Sequence, residues 1–442
     1  MNLSYRLFST IFSVTEWFKR RFTPLGIGAI ACLIVSAIIG IDTKQTMGYQ
    51  IFAFVLAMLI IAIAWSWRFK TGLAVSRSLP RFGTVGVKLR YTVTIDNPTG
   101  KVQTGLLLKE EFADPRPTVM QFKRYLRSLR KKSRFVSLSV RYYRWLQLTK
   151  RNRGATPIKA VAIPPLQPHS SDGVTLELMP TRRGTTRFAG VTILRPDPLS
   201  LFNACKRIIF PQSILILPQR YQVPRFELSG SRKAQSGTVS LASSVGDSAE
   251  FMSLRDYRPR DPLRKIHWKS WAKTDKPVVK EEQAEHFVRH ALILDTFCQV
   301  SYSEAFESAV SVAASFACDW QTQESLLDLM FVHQEAYSFT AGRSLGNTEQ
   351  MLSILAGVQP CDGEFKTLTT SVIKRSNLMS GCICVLLSWD ETRKELLRYL
   401  QQMQIPTLVL VVSETQPQGI FEFGNVHWLE VGKVQQSLMS IQ

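Results

Sequence analysis

Between Glu250 and His286 the chain reads EFMSLRDYRPRDPLRKIHWKSWAKTDKPVVKEEQAEH. Arg255, Tyr257, Asp261, Arg264, Ile266, His267, Trp268 and Lys276 crowd into about twenty residues of it. Arginines set among Asp256 and Asp261 have two uses. They can grip a phosphate through paired N–H donors, or they can build an ion-pair network that stiffens a domain edge. Residue types alone favour the second. Elsewhere the chemistry is sparse. The six histidines (His169, His267, His286, His290, His333, His427) form no metal-spaced group. His286 and His290 stand four apart, but His290 opens an apolar strand rather than sharing a helical face. Seven cysteines show neither zinc-finger spacing nor a secreted framework, so reduced thiols are expected. Cys382 and Cys384 alternate inside an apolar strand and read as core, although a Cys/His nucleophile pair stays open because spatial neighbours are invisible in a sequence. No HExxH helix, Walker A loop, GxSxG elbow or GxGxxG turn occurs, and an enzyme is therefore the last of the function classes.

The elements around that block divide the chain. Residues 229–248 are rich in Ser and Gly and read as a flexible linker. Downstream, strand-like runs (His290–Thr296, Leu326–Val332, Cys382–Trp389, Thr407–Val412) alternate with helical stretches at Tyr302–Trp320, Thr348–Ala356 and Glu391–Met403. Such alternation predicts a parallel sheet covered on both faces. Upstream, Leu89, Tyr91, Val93 and Ile95 alternate with polar residues. Further runs at Leu106–Phe112, Val174–Met179, Phe188–Leu194 and Ile214–Leu217 predict an all-β domain, a sandwich of the Ig-like kind or a small barrel.

The formal charge of +21 excludes neither nucleic acid, anionic lipid nor an acidic protein. Two-thirds of it lies in residues 115–171, which hold 14 Lys and Arg and no Asp or Glu. Within it Phe122, Tyr125, Leu126 and Leu129 fall on one helical face. Lys123, Arg124, Arg127, Arg130 and Lys131 fall on the other and form a candidate surface for anions. Period-two alternation then predicts a strand over Phe135–Tyr142. A basic amphipathic helix fits an anionic membrane surface, and a solvated or protein-docking arm fits nearly as well. Nucleic acid, stacked on the interleaved aromatics, ranks behind both.

Two uncharged apolar runs, Leu25–Ile41 and Tyr49–Trp67, are each long enough for a membrane-spanning helix. Spans are expected at about 23–41 and 49–67. Lys19, Arg20 and Arg21 precede the first; Arg68, Lys70, Arg77 and Arg81 follow the second. The positive-inside rule then predicts a two-pass anchor with both termini cytoplasmic.

The block at 250–286 resembles the signature of the bacterial family termed domain of unknown function 58 (DUF 58). So does PTRRGTTRFAGVTILRPDPLSLFNACKRIIFPQSILILP, through Arg183, Gly184, Asp197, Pro198, Leu199 and Phe202. The resemblance implies residues 1–70 as a bacterial inner-membrane anchor and 71–228 as a β-domain with its basic insertion at 115–171. Beyond the linker it implies 249–442 as the signature block and a von Willebrand factor A-like, Rossmann-type α/β domain. The insertion departs from the family's shorter pattern. The family's expected partners are MoxR-type AAA+ ATPases and transglutaminase-like membrane proteins. An adaptor role follows, with Arg255, Tyr257, Asp261, Arg264 and Trp268 as the partner-binding surface. In von Willebrand A domains an Asp-x-Ser-x-Ser motif, a Thr and a later Asp hold Mg²⁺. Here Asp295 and Asp390 match, but Phe297 and Gln299 replace both serines. Loss of two hydroxyl ligands should weaken such a site badly, so no cofactor is expected.

Overall fold

The computed structural model describes residues 2–40, 46–69, 71–130, 137–224, 250–259, 261, 263, 266–274, 276–283, 288–298, 303–319, 325–332, 336–341, 345–419 and 424–441. The expected linker at 229–248, and Arg264, Lys131, His286 and Gln299, lie outside them, as do the side chains of Arg124, Arg127 and Arg130. Two compact units divide the chain. The first is Met1–Tyr221 with Cys298–Ser303 and Leu352–Pro360; the second is Gln222–Phe297, Glu304–Met351 and Cys361–Gln442.

The first unit opens with three helices, α1 (Asn2–Arg21), α2 (Pro24–Ile39) and α3 (Thr46–Trp67). Thr23 sets the start of α2. Its hydroxyl accepts from the Gly26 N–H at 3.0 Å, and Pro24 occupies the first helical position, where a missing N–H costs nothing. Helices α2 and α3 pack antiparallel through Ala29, Ile30 and Leu33 against Val55, Met58, Leu59 and Ala62. Among the described residues one helix, Met47–Trp67, is long and apolar enough to cross a membrane. The 16-residue α2 is apolar but shorter than the span expected at 23–41; it ends at Gly40, whose φ and ψ stay helical. At 1.5 Å per residue it reaches about 24 Å, against about 30 Å of hydrocarbon.

Strands β1 (Ala74–Ser78), β2 (Phe82–Thr84), β3 (Leu89–Asn97) and β4 (Leu107–Phe112) follow. Then come helices α4 (Val119–Arg130) and α5 (Leu138–Arg153), and strands β5 (Val161–Ala162), β6 (Ser170–Leu178), β7 (Gly184–Pro196) and β8 (Asn203–Leu217). They form a three-stranded sheet, β1-β3-β6, and a five-stranded one, β2-β8-β7-β4-β5. The alternating apolar residues of both sheets meet in one core, with Val93, Ile95, Leu176 and Leu178 from the first and Leu108, Phe188, Ile193 and Ile216 from the second. A polar pin crosses that core. Arg77 on β1 pairs with Glu110 on β4, both side chains fully buried. Tyr91 on β3 donates to the same carboxylate at 2.8 Å, and Arg77 donates to Gln212 on β8 at 3.1 Å. Burial pushes the Glu110 carboxyl up against the pull of Arg77, and burial followed by the Glu110 charge pushes the Tyr91 phenol well above its ordinary range.

The strand expected over Phe135–Tyr142 is corrected: its described residues open helix α5. Ser137 caps it by accepting from the Val140 N–H, and Gly154 ends it in the left-handed conformation at φ 70°. Burial of Trp145 and Leu148, three residues apart, outweighs the short period-two alternation at its start.

The second unit begins with an antiparallel ribbon, β9 (Glu250–Asp256) and β10 (Val278–Gln283), with α6 (Trp268–Thr274) between them. Next come β11 (Val288–Leu294), α7 (Glu304–Asp319), β12 (Ser325–Val332), β13 (Ala336–Ala341), α8 (Leu345–Gly357), whose residues from Leu352 on belong to the first unit, and α9 (Lys366–Arg375). β14 (Gly381–Leu386), α10 (Glu391–Gln402), β15 (Thr407–Ser413), β16 (Val426–Glu430) and α11 (Val434–Met439) complete the chain. The six strands order as β13-β12-β11-β14-β15-β16, parallel throughout except for antiparallel β13 at one edge. One face of the sheet carries Ile293, Cys384 and Val411 under Leu368 of α9 and Leu396 and Leu400 of α10. Helix α7, buried from Val310 to Ala317 without a break, packs against β11, β14 and β15. A strand buried on both faces needs no polar alternation, which is why β14 reads GCICVL.

Candidate functional site

In a doubly wound sheet the ligand crevice opens where the strand order reverses, at the carboxyl ends of the strands. Here that point lies between β11 and β14, and the chain places Asp295 just beyond the first and Asp390 just beyond the second. Asp295 is fully buried. Its carboxylate accepts from the Phe297 N–H at 3.0 Å, from the Leu387 N–H at 3.1 Å and from Arg393 Nε at 2.7 Å. The same guanidinium pairs with Asp390. Asp390 also caps α10, accepting from the Arg393 N–H at 3.1 Å and from the Thr392 hydroxyl at 2.8 Å. Partial burial pushes the Asp390 carboxyl up, but the Thr392 hydroxyl and Arg393 outweigh it and hold the group below its usual range. Arg393, 6% exposed, rests on the Phe365 ring at 4.7 Å, and Phe365 meets Phe297 edge-on at 5.7 Å.

This arrangement does not fit a divalent cation. Mg²⁺ wants about six oxygens, and these two carboxylates are shared with a guanidinium wedged between them. Phe297 lays a ring where the expected motif would supply a hydroxyl. Among the described residues no three His, Cys, Asp or Glu side chains gather as a metal site. Chemically the cluster is a lock on the reversal point, in which the buried Asp295–Arg393 pair is tied to the half-exposed Asp390. The sequence reading missed Arg393, and its position three residues after Asp390, on the first turn of α10, was the available signal.

The signature block folds around the β9–β10 ribbon. Arg255 grips Asp261 with two N–H groups at 2.7 and 2.8 Å, and the Arg258 N–H adds a third bond at 2.9 Å. These bonds, Arg255 foremost, draw the Asp261 carboxyl down to about 2. Tyr257 is half-buried, its N–H donating to the Pro277 carbonyl at 2.9 Å. Ile266 is buried and bridges to Val279. On the rigid frame so made, Trp268 is 62% exposed and stacks on Trp271 at 5.3 Å, with Leu263 exposed nearby in sequence. Four of the five expected surface residues are thus described, and Arg255 and Asp261 are joined directly.

No family model matches this chain. It is 28% identical over 144 residues to the uncharacterised protein YeaD of Bacillus subtilis (strain 168), a match covering 32% of this chain and 34% of that one. The chain therefore aligns with about a third of that relative's length. A solved structure of a Salmonella alpha-2-macroglobulin mutant is similar over 35% of this chain and 8% of its own, at 11% identity and a TM-score of 0.18.

In the first unit the stretch DPLSLF makes a tight turn before β8. Asp197 accepts from the N–H groups of Leu199 at 3.0 Å and Phe202 at 2.7 Å. The turn grips the helical hairpin. Thr23 N–H donates to the Leu201 carbonyl at 3.2 Å, Phe22 meets Phe202 edge-on at 5.0 Å, and Leu201 and Phe202 bury against Leu59 and Ala62. Gly26 permits the approach, since a Cβ there would stand 2.0 Å from the Leu201 oxygen. The expected anion-binding helix α4 uses its apolar face internally: Phe122 and Leu126 bury with Phe8 of α1 and Trp145 of α5. Lys123 is half-buried. Beside this bundle a cleft of about 610 Å³ is lined by charges that largely neutralise one another. Arg20 and Arg207 reach Glu111 at 3.1 and 2.6 Å, and Arg153 reaches Glu16 at 3.8 Å. Cys382 and Cys384 are both buried in β14, and Cys382 Sγ lies 3.2 Å from the Thr407 hydroxyl.

Proposed function

We propose that this chain is a membrane-anchored interaction protein that presents its second unit to a protein partner on the cytoplasmic side. The observation that carries the reading is the exposed Trp268 on a block stiffened by the Arg255–Asp261 pair. A solvent-facing tryptophan stacked on a second one is the composition of a binding hot spot, and leaving it in water without a partner wastes about 2 kcal/mol of apolar burial. The anchor in this reading is the α2–α3 hairpin crossing twice, with both termini inside, as Lys19, Arg20, Arg21 and Arg68 at its one end favour. The β-domain is then Ig-like and the second unit von Willebrand A-like, its reversed strand order and antiparallel edge supporting that assignment. The resemblance of the block to the DUF 58 signature makes a MoxR-type AAA+ ATPase the partner of choice and a transglutaminase-like membrane protein the next.

The test is an affinity pull-down of the full-length protein from a mild detergent extract, with and without ATP and Mg²⁺. The expected result is a AAA+ ATPase in stoichiometric yield, lost on Trp268→Ala. Anionic lipid or nucleic acid without any protein partner overturns the adaptor reading. It returns the function to the basic residues 123–131.

A further inference from the structure

Helix α1 has two apolar faces, and the bundle uses one of them. Tyr5, Phe8 and Phe12 turn inward to Phe122, Tyr142 and Trp145. The other face carries Leu7, Ile11, Val14 and Phe18, spaced four, three and four residues apart, which at 3.6 residues per turn draws one straight stripe. All four are exposed, from 39% at Ile11 to 50% at Val14, and Trp17 beside them is 49% exposed.

We infer that α1 lies in the headgroup region of the bilayer with this stripe among the acyl chains, an in-plane helix continuous with the anchor. Three observations single out lipid as the occupant. The chain passes from α1 through Phe22 and Thr23 directly into α2, so the stripe ends where the hairpin begins. Because α2 and α3 run antiparallel, Trp65 and Trp67 stand at that same end, both exposed, and with Trp17 they make an aromatic belt of the kind found at membrane interfaces. Finally, Arg6, Lys19 and Arg21 accompany the stripe, with Arg21 lying over the Trp17 ring at 5.4 Å. The helix's one acid, Glu16, sits off the stripe and pairs with Arg153. Apolar stripe, flanking tryptophan and basic residues together match an anionic phospholipid surface. The inference rests on the anchor reading proposed above.

The experiment keeps the two apart. Full-length protein is reconstituted in phosphatidylcholine–phosphatidylglycerol vesicles doped with a phospholipid carrying a diazirine on its acyl chain. It is then illuminated, digested with trypsin and mapped by mass spectrometry. Peptide 7–19 reports α1, peptide 45–68 reports α3, and peptide 91–101 of β3 gives the background. The expected result is labelling of both helical peptides well above background. In the variant Ile11→Ser/Val14→Ser, labelling of the α1 peptide should fall about tenfold, the equivalent of losing two methyl-rich side chains from the acyl region, with α3 unchanged. Labelled α3 with α1 at background, or α1 labelling indifferent to the double substitution, overturns the in-plane helix and leaves the anchor standing. Background at all three peptides overturns the anchor reading and this inference with it.

Discussion

Replacing Arg393 with methionine tests the reading of the reversal point. The substitution keeps most of the side-chain volume over Phe365 but removes the charge. Asp295, fully buried, is left with two backbone N–H donors and no counter-ion. Removing one member of a buried pair costs about 3–5 kcal/mol, a large share of the 5–15 kcal/mol that holds a typical domain together. At about 2–4 °C per kcal/mol for a unit of this size, the second unit's melting transition should fall by roughly 6–20 °C. The assay is thermal unfolding of the full-length protein in detergent, followed by tryptophan fluorescence. The double variant Asp295→Asn/Arg393→Met, which removes both charges, should regain most of the loss. Millimolar Mg²⁺ should leave the parent's transition where it is, because a ligand that binds only the native state would raise it. An Arg393→Met transition within about 2 °C of the parent, or a parent transition raised by Mg²⁺, would refute the internal-cation argument.

Two further outcomes follow from the geometry. Gly26→Ala puts a Cβ 2.0 Å from the Leu201 carbonyl and should destabilise the first unit by about 1–3 kcal/mol. Gly28→Ala, with nothing within 4 Å of its Cβ, is the control, and equal melting of the two variants would show that the turn does not grip the hairpin. His290, the third residue of β11, lies almost out of solvent, and burial lowers its pKa from 6.5 to about 4. The unfolded chain therefore binds the proton more readily. The stability from keeping the imidazole neutral is whole above pH 6.5 and drains away as pH falls toward 4, by at most about 3 kcal/mol. Urea midpoints at pH 7.5, 5.5 and 4.5 should show that loss in the parent and a flatter profile in His290→Gln; identical profiles would count against it.

Strands whose side chains alternate against one face, as in β3, announced themselves, and so did the uniformly apolar β14 and the long helix α7, because each follows one simple periodicity. The short, half-exposed elements did not: β13, β16 and α11 bury too few residues to stand out from loops. Helix α5 shows the competition plainly. Leu138, Val140 and Tyr142 mimic a strand, while its boundary signals, Ser137 and Gly154, are local chemistry that outlasts a five-residue pattern. At the candidate site, Asp295 and Asp390 were legible as strand-end acids. What pairs with Asp295 was not, since Arg393 lies 98 positions away. In the same way the inward-facing Arg77 and Glu110 break the alternation of their strands and make sense only once the two sheets bring them together. A buried charge is visible in a sequence as an anomaly, and its partner is a property of topology.

The basic insertion carries that distinction furthest. Amphipathicity establishes that the apolar face of α4 must be covered, and a membrane surface or another helix would satisfy the hydrophobic effect equally well. The structure covers it with α1 and α5, so its Phe122 and Leu126 cannot also enter a bilayer without unpacking Phe8 and Trp145. Taking Phe122 alone out of that cluster would cost about 3 kcal/mol or more. The apolar stripe that could enter a membrane belongs to α1. An amphipathic element can thus be identified correctly from its spacing while its assigned surface passes to the neighbour that buries it.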